Sequence, residues 1–196
     1  MLIRTKKYLL SLLLLLSVTA CANSALTVQR YNLPDSQAGT AISPATAKQI
    51  LVIGNIQLAE FLDSESIVLQ LDDITVHQAR EHLWAENLTQ QLRRGLRHRL
   101  SAQLPETLVV ADQRGISGDS WELQLAIDQF HGYTTGSALT SGQWQLHNPQ
   151  GELVFIAPIT VETALSSDGY PALVRALGNN LDQLAQQLAQ QIRQQY

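Results

Sequence analysis

The sequence holds a single cysteine, Cys21, among 196 residues. Without a second thiol an internal disulfide is excluded, so a hydrophobic core has to hold the fold. Positive charge is also scarce. After residue 20 the chain has 10 Lys and Arg against 17 Asp and Glu, a net charge of −7. Nucleic-acid binding, which needs a basic footprint, is therefore not indicated, and an acidic body is unsuited to docking on anionic headgroups.

Motifs of catalysis and metal binding are missing as well. The sequence contains neither a G-x-S-x-G elbow nor a phosphate-binding G-x-x-x-x-G-K-[ST] loop. No pair among the histidines has the spacing of a zinc site, although His77 and His82 could meet across a hairpin-to-helix junction. The acidic run from Asp63 to Asp73 could offer a carboxylate pair, but a solvated, turn-rich loop is the favoured interpretation. We therefore expect no catalytic residue, no metal and no cofactor.

The one long apolar run, from Tyr8 to Leu16, reaches only about half of the ~20 residues of a spanning helix. It follows Arg4, Lys6 and Lys7 and precedes small residues, which is the charged, apolar and cleavable order of a signal peptide. Val18-Thr19-Ala20-Cys21 resembles the lipobox of bacterial lipoproteins. The resemblance implies cleavage before Cys21 and acylation there, palmitate included. The alternative is a secreted protein whose lone cysteine lies near an ordinary cleavage site.

Three segments follow from this interpretation: a signal peptide over 1–20, a lipidated tether over 21–26 and one periplasmic domain over 27–196. Ala22 stands where an aspartate would favour retention at the inner membrane. The sorting pattern of Gram-negative lipoproteins therefore implies an outer-membrane anchor with the body facing the periplasm. Several acyl chains give stable anchoring where one gives only marginal binding.

Alternating and β-rich runs predict strands through much of the remaining chain. Asp72-Asp73 predicts the turn of a hairpin, Asn148 to Gly151 predicts another turn, and Pro158 indicates a bulge or an edge. The predicted strands cover 27–33, 49–58, 66–70, 74–78, 107–111, 121–127, 137–147 and 152–165.

Two longer segments have helical periodicity. Residues at every fourth position from Trp84 to Leu104 predict one amphipathic helix, which Pro105 ends. A second apolar stripe runs from Leu173 to Ile192, after a helix start at Ser167 to Pro171. The fold class expected is α/β (α+β): a two-layer sandwich in which two long amphipathic helices pack on one mixed or mainly antiparallel sheet.

Two polar faces are candidate partner surfaces. Arg93, Arg94, Arg97 and Arg99 lie off the leucine stripe with His98, and could meet an acidic partner or a phospholipid headgroup. A solvated helix face is the favoured alternative. The last helix carries many glutamines, a neutral face that could pack on a neighbouring subunit or be plainly exposed.

Several segments together are similar to the PqiC family of outer-membrane lipoproteins, also described as auxiliary lipoproteins of ABC-type transporters. Tyr31-Asn32-Leu33-Pro34 follows the lipobox as the family's Tyr-x-Leu does, and Trp84-Ala85-Glu86 matches its Trp-Ala-Glu signature. Ile53 to Leu58, running into Phe61-Leu62-Asp63 and Ile67-Val68, adds to the match. The sequence departs from the family at Ala59-Glu60 and at Ser64 to Ser66, both before the predicted hairpin.

The resemblance implies a non-catalytic subunit of an intermembrane lipid transport system that supports membrane integrity. Its partner would be an MCE-domain tunnel protein (PqiB-like), received at the outer membrane by a homo-oligomer of the lipoprotein. Trp84, Glu86, Arg93 and Arg97 are the candidate partner-binding residues, with Trp84 expected to be buried at the start of the helix. The alternative function is a periplasmic lipid carrier or lipoprotein chaperone that binds an acyl chain in its own cavity.

Overall fold

A computed structural model describes residues 27–35, 43–111 and 118–196. The predicted signal peptide, Cys21, the tether and residues 36–42 and 112–117 lie outside the described residues. The strands are β1 (Gln29–Tyr31), β2 (Gln49–Leu58), β3 (Ser66–Gln70), β4 (Val76–Trp84), β5 (Thr107–Val110), β6 (Trp121–Tyr133), β7 (Ser137–His147) and β8 (Leu153–Ala164). The helices are α1 (Leu88–Gln103) and α2 (Tyr170–Ile192).

The long strand β6 organises the sheet. On one side it pairs antiparallel with β7, which pairs antiparallel with the edge strand β8. Its other side is shared, because β2 runs parallel to its first half and β3 runs parallel to its last two residues. The strand β5 extends the sheet beyond β2, while β4 and then β1 extend it beyond β3. The sheet is therefore mixed, as predicted.

Both helices pack on one face of this sheet. The stripe of α1 buries Leu88, Leu92, Leu96 and Leu100, and α2 buries a broader face from Ala172 to Ile192. These side chains join the inward residues of β2, β6 and β7 in a single hydrophobic cluster. The predicted α+β architecture of two amphipathic helices on one sheet is confirmed.

Asn180 supplies a polar contact within this packing. Its side chain is fully buried, and its Nδ2 donates to the carbonyl of Ala138 at 3.0 Å and to the hydroxyl of Thr140 at 3.1 Å. A buried amide without such partners would lose its hydrogen bonds to water with no replacement. The contact fixes the position of α2 along β7.

The prediction that Trp84 begins the first helix is wrong. Trp84 ends β4, where it pairs with Tyr31 of β1 and donates its backbone N–H to the carbonyl of Glu65 at 2.6 Å. The helix begins at Leu88, and its N-cap is Asn87, whose Oδ1 accepts from the N–H of Gln90 at 3.3 Å. The four-residue apolar spacing continues from Trp84 in β4 to Leu88 in the helix, because both side chains are buried in the same core.

Other predicted features agree with the structure. The hairpin turn at Asp72-Asp73 joins β3 to β4, and the bounds of β2, β3 and β7 match those predicted. Pro158 lies in β8, an edge strand that pairs with β7 alone within the described residues, so its missing N–H disrupts no inner ladder. Gly169 caps α2, although no side chain completes the cap.

Gly142 stands where β6 and β7 shift register, and its φ is +152°. A Cβ there would lie 2.0 Å from the carbonyl oxygen of Ala126, a backbone atom that cannot rotate away. Gly136 also has positive φ, +91°, but nothing lies within 4 Å of its added Cβ.

We expect Gly142→Ala to lower the free energy of unfolding by about 3 kcal/mol or more, because strain and a backbone clash add. Gly136→Ala should cost only about 1 kcal/mol of conformational strain. Urea unfolding of both variants measures the difference. Equal losses would show that the tight contact at Gly142 relaxes without cost.

Candidate functional site

The body has two opposite ends along the direction of β7. One end, which we call the anchor end because the chain enters β1 from that side, holds the β3–β4 turn (Leu71–Thr75), the β6–β7 turn (Thr134–Gly136) and the start of α2. The far end holds the β7–β8 turn (Asn148–Gly151) and the starts of β2, β5 and β6. About 33 Å separates them, the rise of the ten steps of β7 from Ser137 to His147. Since β1 runs parallel to β4, its N-terminal residue points toward the anchor end.

A buried arginine ties the segment after β1 to both helices. Arg99 of α1 is 5% exposed, and its Nε lies 2.6 Å from Oδ1 of Asp182 on α2. Its Nη2 donates to the carbonyl of Pro34 at 3.0 Å, and its Nη1 donates to that of Gly95 at 3.2 Å. We call these residues the Arg99 clamp. The expectation that Arg99 belongs to a solvated basic face is wrong, because the approach of α2 and the β1 segment covers it.

A buried glutamine holds the same segment about two turns earlier in α1. The Oε1 of Gln91 accepts from the backbone N–H of Leu33 at 2.8 Å, and its Nε2 donates to the carbonyl of Glu86 at 3.0 Å. Leu33 is itself buried in the core. The chain that leads from Cys21 into the body is therefore fixed at Leu33 and Pro34.

The structure separates the four predicted partner-binding residues into different places. Trp84 and Glu86 line one cleft of about 250 Å³, in which Trp84 is only 2% exposed. Glu86 is exposed and pairs with Arg94 at 2.7 Å. Arg93 instead donates to the carbonyl of Gly54 at 3.2 Å, and Arg97 lies 3.0 Å from the ring of His98. Trp84 thus supports the core, while Glu86 is the accessible member.

The far end carries an open cleft of about 350 Å³. Lys48 and Glu106, which pair at 2.6 Å, form part of its rim with Arg193. Tyr196 lies against Trp121, with ring centroids 5.2 Å apart, and burial raises the pKa of Tyr196 to about 12. Aromatic residues and arginine, which this surface offers in Tyr196 and Arg193, are enriched at protein contacts, and a polar rim usually surrounds them.

The two histidines considered as a metal pair both lie in β4. His82 stacks on Tyr170 with ring centroids 3.8 Å apart, and its Nδ1 lies 2.9 Å from the hydroxyl of Tyr31. His77 is exposed. Across the part of the chain that the structure describes, no group of three His, Cys, Asp or Glu side chains could hold a metal ion. His82 therefore joins β1 to the start of α2.

A third histidine, His131 of β6, is fully buried beside Tyr133. Burial lowers the pKa of His131, because the charged imidazolium is poorly solvated there, although the carbonyl of Gly132 partly opposes this. Its Nε2 has no hydrogen-bond partner among the described residues. The ring is therefore held neutral in the native state.

Sequence reasoning missed the apolar surface of the anchor end. Ile74 is 87% exposed in the β3–β4 turn, between Leu71 at 45% and Val76 at 42%. The signal was present, since a β-branched residue in a turn otherwise built from aspartates serves no local purpose. None of the helices in the described residues is long and apolar enough to span a membrane.

Comparison with known proteins defines the class. The family of ABC-type transport auxiliary lipoprotein components matches residues 31–189. The match covers both helices and nearly all of the sheet, so the chain belongs to this family. It is an auxiliary lipoprotein of intermembrane transport.

Particular relatives agree with that class. The chain is 31% identical over 172 residues to the intermembrane transport lipoprotein PqiC of Escherichia coli (strain K12), covering 88% of this chain and 89% of that one. The PqiC of Shigella flexneri matches equally. The crystal structure of an uncharacterized protein, 29% identical, superposes with a TM-score of 0.74 over 85% of this chain and 99% of its own. A Xanthomonas campestris protein at 16% identity shares the fold, with a TM-score of 0.62 over 86% and 100%.

Arg99→Met should destabilise the body by about 2–4 kcal/mol, because it removes the buried guanidinium that pairs with Asp182 and leaves the carbonyl of Pro34 without this donor. The matched control is Arg94→Met, which breaks the exposed pair with Glu86 and should cost at most about 1 kcal/mol. Chemical denaturation checks both. If both variants lost a similar free energy of unfolding, the Arg99 clamp would contribute no more to stability than an exposed ion pair.

The neutral state of His131 predicts acid sensitivity. The unfolded ring binds a proton near pH 6.5 and the folded ring only at lower pH, so stability is complete above 6.5 and declines as pH falls below it. The decline is at most about 1.4 kcal/mol per pH unit for one group. His131→Gln should make the unfolding free energy less dependent on pH between 6.5 and the lower folded pKa. An unchanged slope would contradict this assignment.

Proposed function

We propose that this protein is an outer-membrane-anchored subunit of an MCE-type intermembrane lipid transport system. It docks the periplasm-spanning tunnel at the outer membrane and so supports membrane integrity. The family match over residues 31–189 carries the proposal, together with the lipobox at Cys21. It acts as a binding subunit rather than an enzyme, in keeping with a sequence that has no recognisable catalytic motif.

The anchor orients the body. Cys21 and Gln29 are eight residue steps apart, a span of at most about 28 Å even when fully extended. Because β1 starts toward the anchor end and the chain is fixed at Leu33 and Pro34, that end faces the membrane. The far end, with its open cleft, then faces the periplasm and meets the MCE-domain tunnel protein (PqiB-like). Tethering raises the local concentration of this docking surface.

Neighbouring copies form a homo-oligomer through the exposed glutamine face of α2. Gln183, Gln186, Gln187 and Gln190 lie on its solvent side, and no charged side chain stands among these four positions to repel a second copy. Glu86 is the accessible acidic residue of the predicted set, and Arg93 and Arg97 are half-buried on α1. We assign Glu86, Arg93 and Arg97 to contacts with a partner protein. The buried Trp84 fixes the segment from which the exposed Glu86 projects.

The direct test is purification of the tagged, lipidated protein in mild detergent, followed by mass spectrometry of the proteins and lipids that accompany it. An MCE-domain protein in stoichiometric amount supports the proposal. A solitary protein with bound phospholipid would contradict it and favour a lipid carrier, for which the clefts described above are open and small.

Cys21→Ala should release the protein from the outer membrane, because the acyl chains supply its stable attachment. Membrane fractionation with immunodetection measures the shift to the soluble periplasmic fraction or to the uncleaved precursor in the inner membrane. The control is Ser24→Ala, which leaves the lipobox intact. Retention of Cys21→Ala at the outer membrane would overturn the assigned anchor.

A further inference from the structure

The anchor end carries an apolar tip that the transport role does not account for. Leu71 and Ile74 of the β3–β4 turn and Val76 at the start of β4 are all exposed, with Ile74 the most exposed at 87%. Turns are normally built from Gly, Pro, Asn, Asp and Ser, whose side chains suit water and tight backbone geometry. An exposed isoleucine there gains nothing from the fold, so its purpose lies outside the folded body.

Hydrogen bonds hold the backbone of the tip. Oδ1 of Asp72 accepts from the backbone N–H groups of Ile74 at 3.0 Å and Thr75 at 2.7 Å, which fixes the turn. The hydroxyl of Thr134 in the adjacent β6–β7 turn donates to the carbonyl of Leu71 at 3.3 Å. These contacts hold the backbone at Ile74, so little backbone ordering entropy opposes its burial by a partner.

The tether limits what can cover this tip. Gln29 pairs with His82, and Gln70 at the tip pairs with Val76. In β3 the two levels lie about three residues apart, a rise of roughly 10 Å. The eight residue steps from Cys21 to Gln29 reach at most about 28 Å, so they are long enough to bring the bilayer surface level with the tip. Because the tether cannot be longer than this, the bilayer surface also stays close to the tip.

We propose that Leu71, Ile74 and Val76 insert into the lipid bilayer beside the acylated Cys21, as a second membrane contact that fixes the tilt of the body. The inference rests on the proposed anchoring of the protein. The adjacent carboxylates of Asp72 and Asp73 repel anionic headgroups, so the surface that fits is a zwitterionic phospholipid such as phosphatidylethanolamine or phosphatidylcholine. Each apolar side chain that enters the bilayer strengthens attachment by up to about tenfold.

The test uses the full lipidated chain, in which the acylated Cys21 leaves no native free thiol. Ile74→Cys is labelled with an environment-sensitive fluorophore and reconstituted on phosphatidylcholine vesicles containing a nitroxide-bearing phosphatidylcholine. Leu153→Cys is the matched control, since Leu153 is also apolar and is 50% exposed, but lies at the far end. Both substitutions lie on the surface, and thermal unfolding checks that the fold is kept.

The proposal predicts a blue shift and strong nitroxide quenching at position 74, with neither at position 153. Quenching at 74 should weaken when anionic phosphatidylglycerol replaces part of the phosphatidylcholine. A label at 74 that is shielded from aqueous iodide but not quenched by lipid would show that a protein covers the tip, and would overturn the proposal. Equal iodide access at both positions would overturn it too. If the protein fails to bind vesicles at all, the anchoring itself is wrong.

Discussion

One guanidinium group holds together the three parts of this protein on which its role depends. Arg99 joins α1 to Asp182 of α2 and to the carbonyl of Pro34, just after the first strand. The close approach needs small residues. A Cβ on Gly178 would lie 2.9 Å from Cδ of Pro34, and one on Gly95 would lie 3.1 Å from Nη1 of Arg99. The buried charge keeps its hydrogen bonds only in this arrangement, so the clamp selects one register between the helices and the incoming chain.

This constraint links the N-terminal anchor to the orientation of the folded body. A lipid on Cys21 joined to a loosely held chain would leave the body free to tumble beside the membrane. In the proposed anchoring, Leu33 and Pro34 are fixed to α1, so that the short tether places one end of the sheet at the bilayer. The opposite end, about 33 Å away along β7, is then the surface available to a periplasmic partner. Recognition of this kind needs a rigid, correctly directed surface and no reactive group.

Much of the fold followed from local patterns in the sequence. The apolar runs of β2 and β7 and the turn chemistry at Asp72 and Asn148 each act over a few residues and were predicted within a residue or two, and the leucine stripes predicted both helices, although the first begins four residues later than expected. Trp84 was assigned to the helix because a four-residue apolar spacing does not show whether the backbone at its first residue is helical or extended. Only the long-range pairing with Tyr31 shows that the chain is still extended there.

The candidate site was less predictable for the same physical reason. Arg99 looks like its neighbours Arg94 and Arg97 in sequence, and its burial arises from Pro34 and Asp182, which lie 65 and 83 residues away. The pairing of one side of β6 with both β2 and β3 is likewise not encoded in any local sequence pattern. Ile74 could have been noticed, because an isoleucine in an aspartate-rich turn conflicts with turn chemistry in the sequence itself.

The most direct measurement is site-specific photocrosslinking in cells, with a photoreactive residue at Gln150 or Glu106 of the far end and at Thr135 of the anchor end. All three positions are exposed. If the anchor directs the body as described, Gln150 or Glu106 will crosslink to an MCE-domain protein and Thr135 will not. Crosslinks to that protein from Thr135, with none from the far end, would contradict the orientation and the docking role built on it.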